Sequence, residues 1–346
     1  MKTEAAILVE LARPLVMADL EIPAMKPGQV LVEIAYSGAC GSQVNEAMGF
    51  KGEDKWLPHC LGHEATGTVL ETAPGATRVK AGDKVVLSWI KGAGYEAGGA
   101  VYGWEGRKVN AGAVTTFQRH ALVSENRLTL LPAGLGLDTA VLLGCAAPTG
   151  MGAVLNVLAA KPGDSIAVFG TGGIGLNALM AAAFSGATTI IAVDPAPQRR
   201  ELAIRFGATH TIDPTAVEVV AEIRKIVAGG VDHAVEATGI PAVMEQAVTA
   251  TRNQGGRAVV IGNAKAGSRL ALDPSVFNQG KSMLGTWGGD SVPERDYPRF
   301  GRMLASGRFP VAGLLSKPYR LDQADQALKD LAAGTVGRPL IDMSLR

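Results

Sequence analysis

Three short stretches carry side chains that could do chemistry together. Cys40 lies in Gly38-Ala39-Cys40-Gly41-Ser42, His63 in Gly62-His63-Glu64, and Cys145 in Leu143-Gly144-Cys145. Two thiolates and one imidazole suit Zn²⁺, and three protein ligands leave a fourth position for water or a reacting molecule. The local spacing is not that of a structural zinc finger. Spacing alone leaves a plainer reading open, because buried free cysteines are common packing residues. Cys60 could form a Cys-x-x-His pair with His63, but an apolar slot before the Gly-His-Glu turn is the expectation for it. His59, His120, His210 and His233 stand in no motif and are expected in surface or core roles.

A second constellation is made of glycines. Gly170-Thr171-Gly172-Gly173-Ile174-Gly175 satisfies G-x-G-x-x-G, follows a strand-like run and opens an apolar helix, which is the context a dinucleotide fingerprint requires. Gly170 permits the tight turn, Gly172 lets the backbone approach a pyrophosphate, and Gly175 lets helix and strand pack closely. The helix N-terminus offers free N–H groups to phosphates. Asp194 follows Gly170 by 24 residues, where a carboxylate would hold the adenosine ribose and repel a 2′-phosphate. NAD is therefore expected rather than NADP. Arg199 and Arg200 complicate this, since they could attract a 2′-phosphate or cap the ribose and adenine.

These groups need elements to hold them. Residues 1–40 read as short strands, with Val30, Val32 and Ile34 alternating with Leu31 and Glu33. Gly82-Asp83-Lys84 is a turn before a strand at 85–88, and this half looks β-rich. The texture changes near residue 150. Strands are expected at 165–169, 188–193, 209–212, 231–236, 257–261 and 282–287, with helices at 174–185, 198–206, 216–227 and 240–250 between them. Six strands alternating with helices predict a doubly wound parallel sheet in an α/β protein. Helices near 297–306 and 321–333 and a last short strand follow. The expected domains are 1–148, continued by 288–346, and 149–287.

Composition narrows the classes. Lys plus Arg is 33 and Asp plus Glu is 32, a formal charge of +1, so there is no electrostatic footprint for nucleic acid or an anionic membrane. Three cysteines are too few for a disulfide framework. The N-terminus lacks a signal-peptide layout, and a cytoplasmic protein is expected. Residues 139–160 and 165–193 carry no charge, but glycines and Pro148 break them into strand, turn and helix. A buried parallel sheet with its helices gives the same runs, so no membrane span is expected. Glycine stands out at 44 residues, about 13% against a usual level of about 7%.

Taken together, the motifs resemble those of the zinc-dependent medium-chain dehydrogenases of the alcohol dehydrogenase family. Cys40-Gly41-Ser42, Gly62-His63-Glu64 with Gly67, Gly82-Asp83-Lys84-Val85, Gly144-Cys145 with Pro148-Thr149-Gly150, and the fingerprint with Asp194 follow the family's order over nearly the whole chain. The resemblance implies a GroES-like catalytic domain interrupted by a Rossmann domain, with zinc in the cleft between them. It implies Cys40, His63 and Cys145 as zinc ligands, and Glu64 as a neighbour able to approach the metal. It implies Ser42 as the group taking the alcohol proton, Thr149 at the nicotinamide, Arg338 on the pyrophosphate and Trp89 as a pocket wall. Cys at position 145 resembles the alcohol dehydrogenase branch more than the polyol branch.

The departures from the family are specific. Gln43 stands where an aspartate commonly orients the ligand histidine, and Asn45 where some members have a relay histidine. Asn45 does not titrate, so a proton route through it is closed. Residues 88–112 lack the family's four-cysteine lobe and carry seven glycines with Trp89, Tyr95, Tyr102 and Trp104. One catalytic zinc and no structural zinc are expected, with 88–112 a surface loop, a substrate lid or a subunit contact. The implied activity is reversible oxidation of a small-molecule alcohol (a secondary alcohol, a polyol or a sugar-like alcohol) to a carbonyl with NAD. A zinc-independent quinone or enoyl reductase and a non-catalytic NAD-binding protein on the same fold are the alternatives. A homodimer or homotetramer is expected, joined near residues 282–287.

Overall fold

The computed structural model describes all of residues 1–346 and divides into two compact units. One comprises Met1–Cys145, Val292–Ser306 and Val311–Arg346; the other comprises Ala146–Ser291 and Gly307–Pro310. The boundaries expected from the sequence lie three residues late at the first crossing and four early at the second. The return of 307–310 to the second unit has no periodic pattern to announce it. Its anchor is aromatic: Phe309 meets Phe184 edge-on at 5.3 Å and stacks on Phe206 at 6.3 Å.

The first unit is β-rich, as its alternating strands suggest. A mixed sheet runs Leu128–Leu130, Lys84–Ser88, Glu64–Thr72, Gln29–Gly38, Arg338–Asp342 and Leu315–Tyr319, with His120–Ser124 also pairing with Gln29–Gly38. The central strand Gln29–Gly38 sends Val30, Val32 and Ile34 into one core with Val69, Val85 and Phe117. Leu31 points the other way, into a second core with Ile7, Leu20, Tyr102 and Leu122. That second core fills a closed barrel of Lys2–Leu8, Val16–Glu21, Val101–Trp104, Arg107–Asn110 and His59–Cys60.

The barrel corrects the reading of 88–112. Residues 101–110 are a hairpin built into the barrel wall, not a plain loop or lid. Glu105 and Gly106, both at positive φ, make its two-residue turn. Tyr102 and Val109 are fully buried on it. The Tyr102 hydroxyl accepts hydrogen bonds from the Leu122 N–H at 2.8 Å and from Gln118 Nε2 at 3.1 Å. Tyr102→Phe removes the hydroxyl acceptor of the Leu122 N–H, while Gln118 Nε2 keeps Thr115, and should lower unfolding free energy by about 1–3 kcal/mol in urea titrations. A change within error would show the barrel wall to be slack there.

The second unit holds one six-stranded parallel sheet in the order His210–Ile212, Thr189–Val193, Ser165–Phe169, His233–Glu236, Arg257–Val260, Ser282–Gly285. Numbered along the unit this is 3-2-1-4-5-6, the doubly wound dinucleotide order. The helix Gly173–Ser185 is apolar almost all round, with Leu176, Ala178, Leu179, Met180 and Ala181 fully buried. Its burial accounts for the uncharged run at 165–193. No single helix in the chain is long and apolar enough to cross a membrane.

Candidate metal and dinucleotide sites

Cys40, His63, Glu64 and Cys145 offer ligand atoms that all lie within 4.8 Å of one another. Each arrives from a different corner of the first unit. Cys40 follows the strand Gln29–Gly38 and caps the helix Gly41–Ala47 in extended conformation. His63 follows Gly62, whose φ of 90° turns the chain, and precedes the strand Glu64–Thr72. Cys145 sits between the turn Val141–Gly144 and the helix Ala146–Gly152. The corner before it is held by Ser88, whose hydroxyl donates to the Gly144 carbonyl at 2.8 Å and accepts from Tyr297 at 2.7 Å. Two glycines leave room for Glu64. A Cβ on Gly38 would stand 2.8 Å from its carboxyl carbon, and one on Gly144 would stand 2.7 Å from its Cβ.

The donor set fits a thiophilic divalent cation. All three cysteines are free thiols. Cys40 and Cys145 share a proton: the hydrogen bond from Cys145 pulls Cys40 well below the usual thiol range and pushes Cys145 well above it. Buried His63 Nε2 has no hydrogen-bond partner. Burial pushes the Glu64 carboxyl up to about 7, against the opposing pull of Arg338. A pocket with two sulfurs, one bare imidazole nitrogen and a reluctant carboxylate is short of positive charge, which a cation supplies. Cys60 stays apart from this group. It is buried, bonded to Thr115, and desolvation pushes its thiol up to about 12, as suits a packing residue.

Arg338, expected at the pyrophosphate, meets Glu64 in this structure. It is 3% exposed and stands 3.1 Å from the fully buried Glu64, with Nη1 donating to the Ala39 carbonyl at 3.2 Å. It braces the chain on both sides of the metal group, from the strand Arg338–Asp342 that pairs with Gln29–Gly38. Removing one partner of such a pair leaves a buried charge alone. Arg338→Met should therefore destabilise the protein by about 3–5 kcal/mol in denaturant titrations. A loss under about 1 kcal/mol would mean that water replaces the guanidinium.

Beside the metal group lies a cavity of about 350 Å³, lined by Gln43, Glu46, Asp54, Trp56, His59, His63, Asn110 and Thr115 among others. Trp89 is half-buried and is not among its lining residues. His59 is the histidine that the sequence left without a role. Its Nε2 meets Asp54 Oδ2 at 2.9 Å and Glu46 Oε1 at 3.8 Å, while Nδ1 lies 2.9 Å from the Cys60 carbonyl. No motif marks this acidic wall. One signal was present: Glu46 lies three residues after Gln43, so both share a face of one helix. Ser42 lies on that same helix, half-buried.

The second unit carries the glycine constellation. Gly170 has a φ of 85°, and its N–H donates to the Val193 carbonyl. A Cβ on Gly175 would lie 1.9 Å from the Gly170 carbonyl oxygen, so the helix that includes Ile174 can approach the turn only as glycine. A Cβ on Gly172 meets nothing within 4 Å. That open space, at the first N–H groups of a 13-residue helix, fits a bound pyrophosphate. Thr149, on the helix Ala146–Gly152, keeps a buried hydroxyl with no internal partner. Asp194 accepts from Thr171 N at 2.9 Å, Thr171 Oγ1 at 3.0 Å and Ala196 N at 2.9 Å. A carboxylate has about four acceptor positions, so its first task is to brace the glycine turn and one position is left. Arg200 is committed to the Asp194 and Pro195 carbonyls and to Asp213. Arg199 makes only a long contact, 3.9 Å, with Asp194.

Known proteins share this arrangement. Residues 26–133 match the alcohol dehydrogenase GroES-like domain and residues 173–306 match the zinc-binding dehydrogenase domain. A geraniol dehydrogenase of Castellaniella defragrans is 31% identical over 98% of this chain and 97% of its own. The chain belongs to the zinc-dependent medium-chain alcohol dehydrogenase family. Its two units are the family's GroES-like and Rossmann-like domains, and its activity is that of an alcohol dehydrogenase oxidoreductase. A crystal structure titled alcohol dehydrogenase zinc-binding domain protein, from Burkholderia ambifaria, superimposes with a TM-score of 0.91 at 34% identity, covering 99% of both chains. A benzyl alcohol dehydrogenase from Acinetobacter calcoaceticus gives 0.89 at 30% identity, again over 99% of both.

Proposed function

We propose that this protein is a zinc-dependent, NAD-linked alcohol dehydrogenase with Cys40, His63 and Cys145 as the metal ligands. The convergence of those three side chains with Glu64 within 4.8 Å carries the reading. Two thiolates offset the charge of Zn²⁺, which suits a neutral alcohol. When bound, the metal supplies Lewis acidity and the dinucleotide supplies the two-electron acceptor. Cys40 is held for ligation by Gln43, whose Oε1 accepts from the Cys40 N–H at 2.7 Å. Ser42, two residues on, takes the alcohol proton and passes it outward. Arg338 holds the Glu64 carboxylate beside the ligands, where it can move toward the cation during ligand exchange.

For the cofactor, the support is the open space at Gly172, the orphan hydroxyl of Thr149 and the charge of Asp194. A carboxylate at the end of the second strand repels a 2′-phosphate, and one lone-pair position remains for a ribose hydroxyl. Arg199, with its guanidinium otherwise unengaged, lies over the same end and would cap the adenosine. The strand Ser282–Gly285 is an open sheet edge with Trp287 exposed just beyond it, which supports pairing with a second copy there. Metal analysis together with a panel of alcohols and both cofactors tests the reading. The expected result is about one Zn²⁺ per chain and kcat/KM at least about tenfold higher with NAD⁺ than with NADP⁺. A tenfold NADP⁺ preference would overturn the cofactor, and turnover without metal would overturn the ligand set.

A further inference from the structure

We infer that Glu46, Asp54 and His59 form a second metal site, apart from the Cys40 group, which takes an exchangeable divalent cation of the Mn²⁺ type. Each of the three offers a ligand atom within 4.8 Å of the other two. His59 Nε2 stands 2.9 Å from Asp54 Oδ2 and 3.8 Å from Glu46 Oε1. Donors held about 2.1 Å from one ion stand roughly 3–3.4 Å apart, so this spread is that of a coordination shell with Glu46 slightly open. Glu46 is the most exposed of the three side chains, at 30%, and has room to close. It lies on the helix Gly41–Ala47, His59 opens the barrel strand His59–Cys60, and Asp54 lies on the chain between them. An ion would clip that connecting segment to the barrel.

The imidazole separates a site from a mere acidic wall. Its Nδ1 lies 2.9 Å from the Cys60 carbonyl oxygen, which can only accept, so Nδ1 carries the ring proton. In the neutral ring Nε2 is then a bare lone pair. It is aimed at two carboxylate oxygens, both acceptors, from a side chain only 6% exposed. A proton on Nε2 would satisfy Asp54 but leave Glu46 Oε1, at 3.8 Å, beyond hydrogen-bond reach; a cation serves both. An Nδ1–H given to a backbone carbonyl is the arrangement that orients a metal-ligating histidine, and ligating carboxylates are anchored in the same way. Both carboxylates here are anchored through their other oxygen. Asp54 Oδ1 accepts from the Trp56 N–H at 2.9 Å, and Glu46 Oε2 accepts from Lys51 at 2.7 Å. All three residues line the cavity, which gives an ion an entry path and room for water ligands. One imidazole with two carboxylates suits Mn²⁺, whereas the thiolates of Cys40 and Cys145 retain Zn²⁺. The second ion is therefore additional to the one tightly held zinc.

The test titrates the zinc-loaded, dialysed protein with Mn²⁺ and reads the free ion by electron paramagnetic resonance, with zinc followed by atomic emission. The wild type should bind about one Mn²⁺ per chain with a Kd of about 0.1 mM or tighter while its zinc stays in place. Asp54→Asn keeps an acceptor for the Trp56 N–H and replaces Oδ2 by a donor, and should weaken Mn²⁺ by about a hundredfold or more. Glu46→Gln keeps an oxygen for Lys51 and should weaken it by about tenfold or more; as the more exposed position, it decides the matter if Asp54→Asn does not fold. Mn²⁺ should also raise the thermal midpoint of the wild type and not of these variants. Absence of Mn²⁺ binding below about 1 mM overturns the inference and leaves His59 as an imidazolium paired with Asp54. An affinity unchanged in both variants overturns it as well, since the ion then sits elsewhere. So does uptake matched by an equal loss of zinc. None of these readouts uses alcohol turnover, so failure here is distinguishable from failure of the dehydrogenase reading.

Discussion

Cys40→Ser is expected to lose most of its zinc and at least about a thousandfold in kcat/KM toward every alcohol, equivalent to about 4 kcal/mol of transition-state stabilisation. Oxygen is a poorer ligand than thiolate for Zn²⁺, and the remaining His63 and Cys145 cannot close a catalytic coordination shell. The backbone should tolerate the change. Cys40 caps its helix through backbone geometry and accepts nothing on its side chain that serine could not replace. The Gln43 contact runs to its main-chain N–H, which serine keeps. Zinc content by atomic emission and turnover should thus fall together while the thermal midpoint of the metal-free forms stays close. Cys60→Ser is the matched control for metal alone, since Cys60 lies outside the ligand group and its content of one zinc should persist. Stoichiometric zinc with full turnover in Cys40→Ser would sink the ligand assignment.

The sequence made the ligand set legible only through its neighbours. Cys40, His63 and Cys145 are too far apart along the chain for spacing to join them. What joined them was the company each kept, Gly41-Ser42, Gly62 with Glu64, and Gly144. The structure gives those glycines physical reasons. Gly62 turns the chain at φ 90°, and Gly144 and Gly38 clear the space that Glu64 fills. The parallel sheet was legible for a different reason. Strands buried on both faces read as continuous apolar runs, and Ser165–Phe169 is buried along its whole length.

Two features escaped for identifiable causes. The hairpin Val101–Trp104 with Arg107–Asn110 was hidden by glycine content, which reads as loop, although Glu105-Gly106 between Tyr102 and Val109 is a two-residue turn signal. The partners of Arg338 and Gln43 were beyond reach because each is set by tertiary contact. Arg338 meets Glu64 across more than 270 positions of chain, joined by a strand pairing that no local pattern announces. Gln43 looked like a weakened aspartate. Its acceptor end turns out to hold the Cys40 N–H, a contact that only the folded amide orientation reveals.

The glycine fingerprint yields the second large effect, and it separates two glycines that a motif treats alike. Gly175→Ala places a methyl 1.9 Å from the Gly170 carbonyl oxygen, a backbone atom that cannot swing aside. Gly170 is itself pinned, by its positive φ, by its N–H bond to Val193 and by Thr238 on its open side. The helix must retreat from the turn, and the N–H groups that face the pyrophosphate retreat with it. Dinucleotide affinity should fall by about a hundredfold, near 2.7 kcal/mol, and the thermal midpoint should fall as well. Gly172→Ala differs. Its φ of −70° is ordinary for alanine and its Cβ would meet no protein atom, so the fold should be as stable as the parent or slightly more so. The methyl would instead occupy the space kept for phosphate, and NADH affinity should again drop by tenfold or more, roughly 1.4 kcal/mol. Calorimetric titration with NADH and melting curves read the two quantities separately. Unchanged NADH affinity in Gly172→Ala would remove the pyrophosphate from this turn, because nothing else in the structure explains why that glycine lacks a side chain.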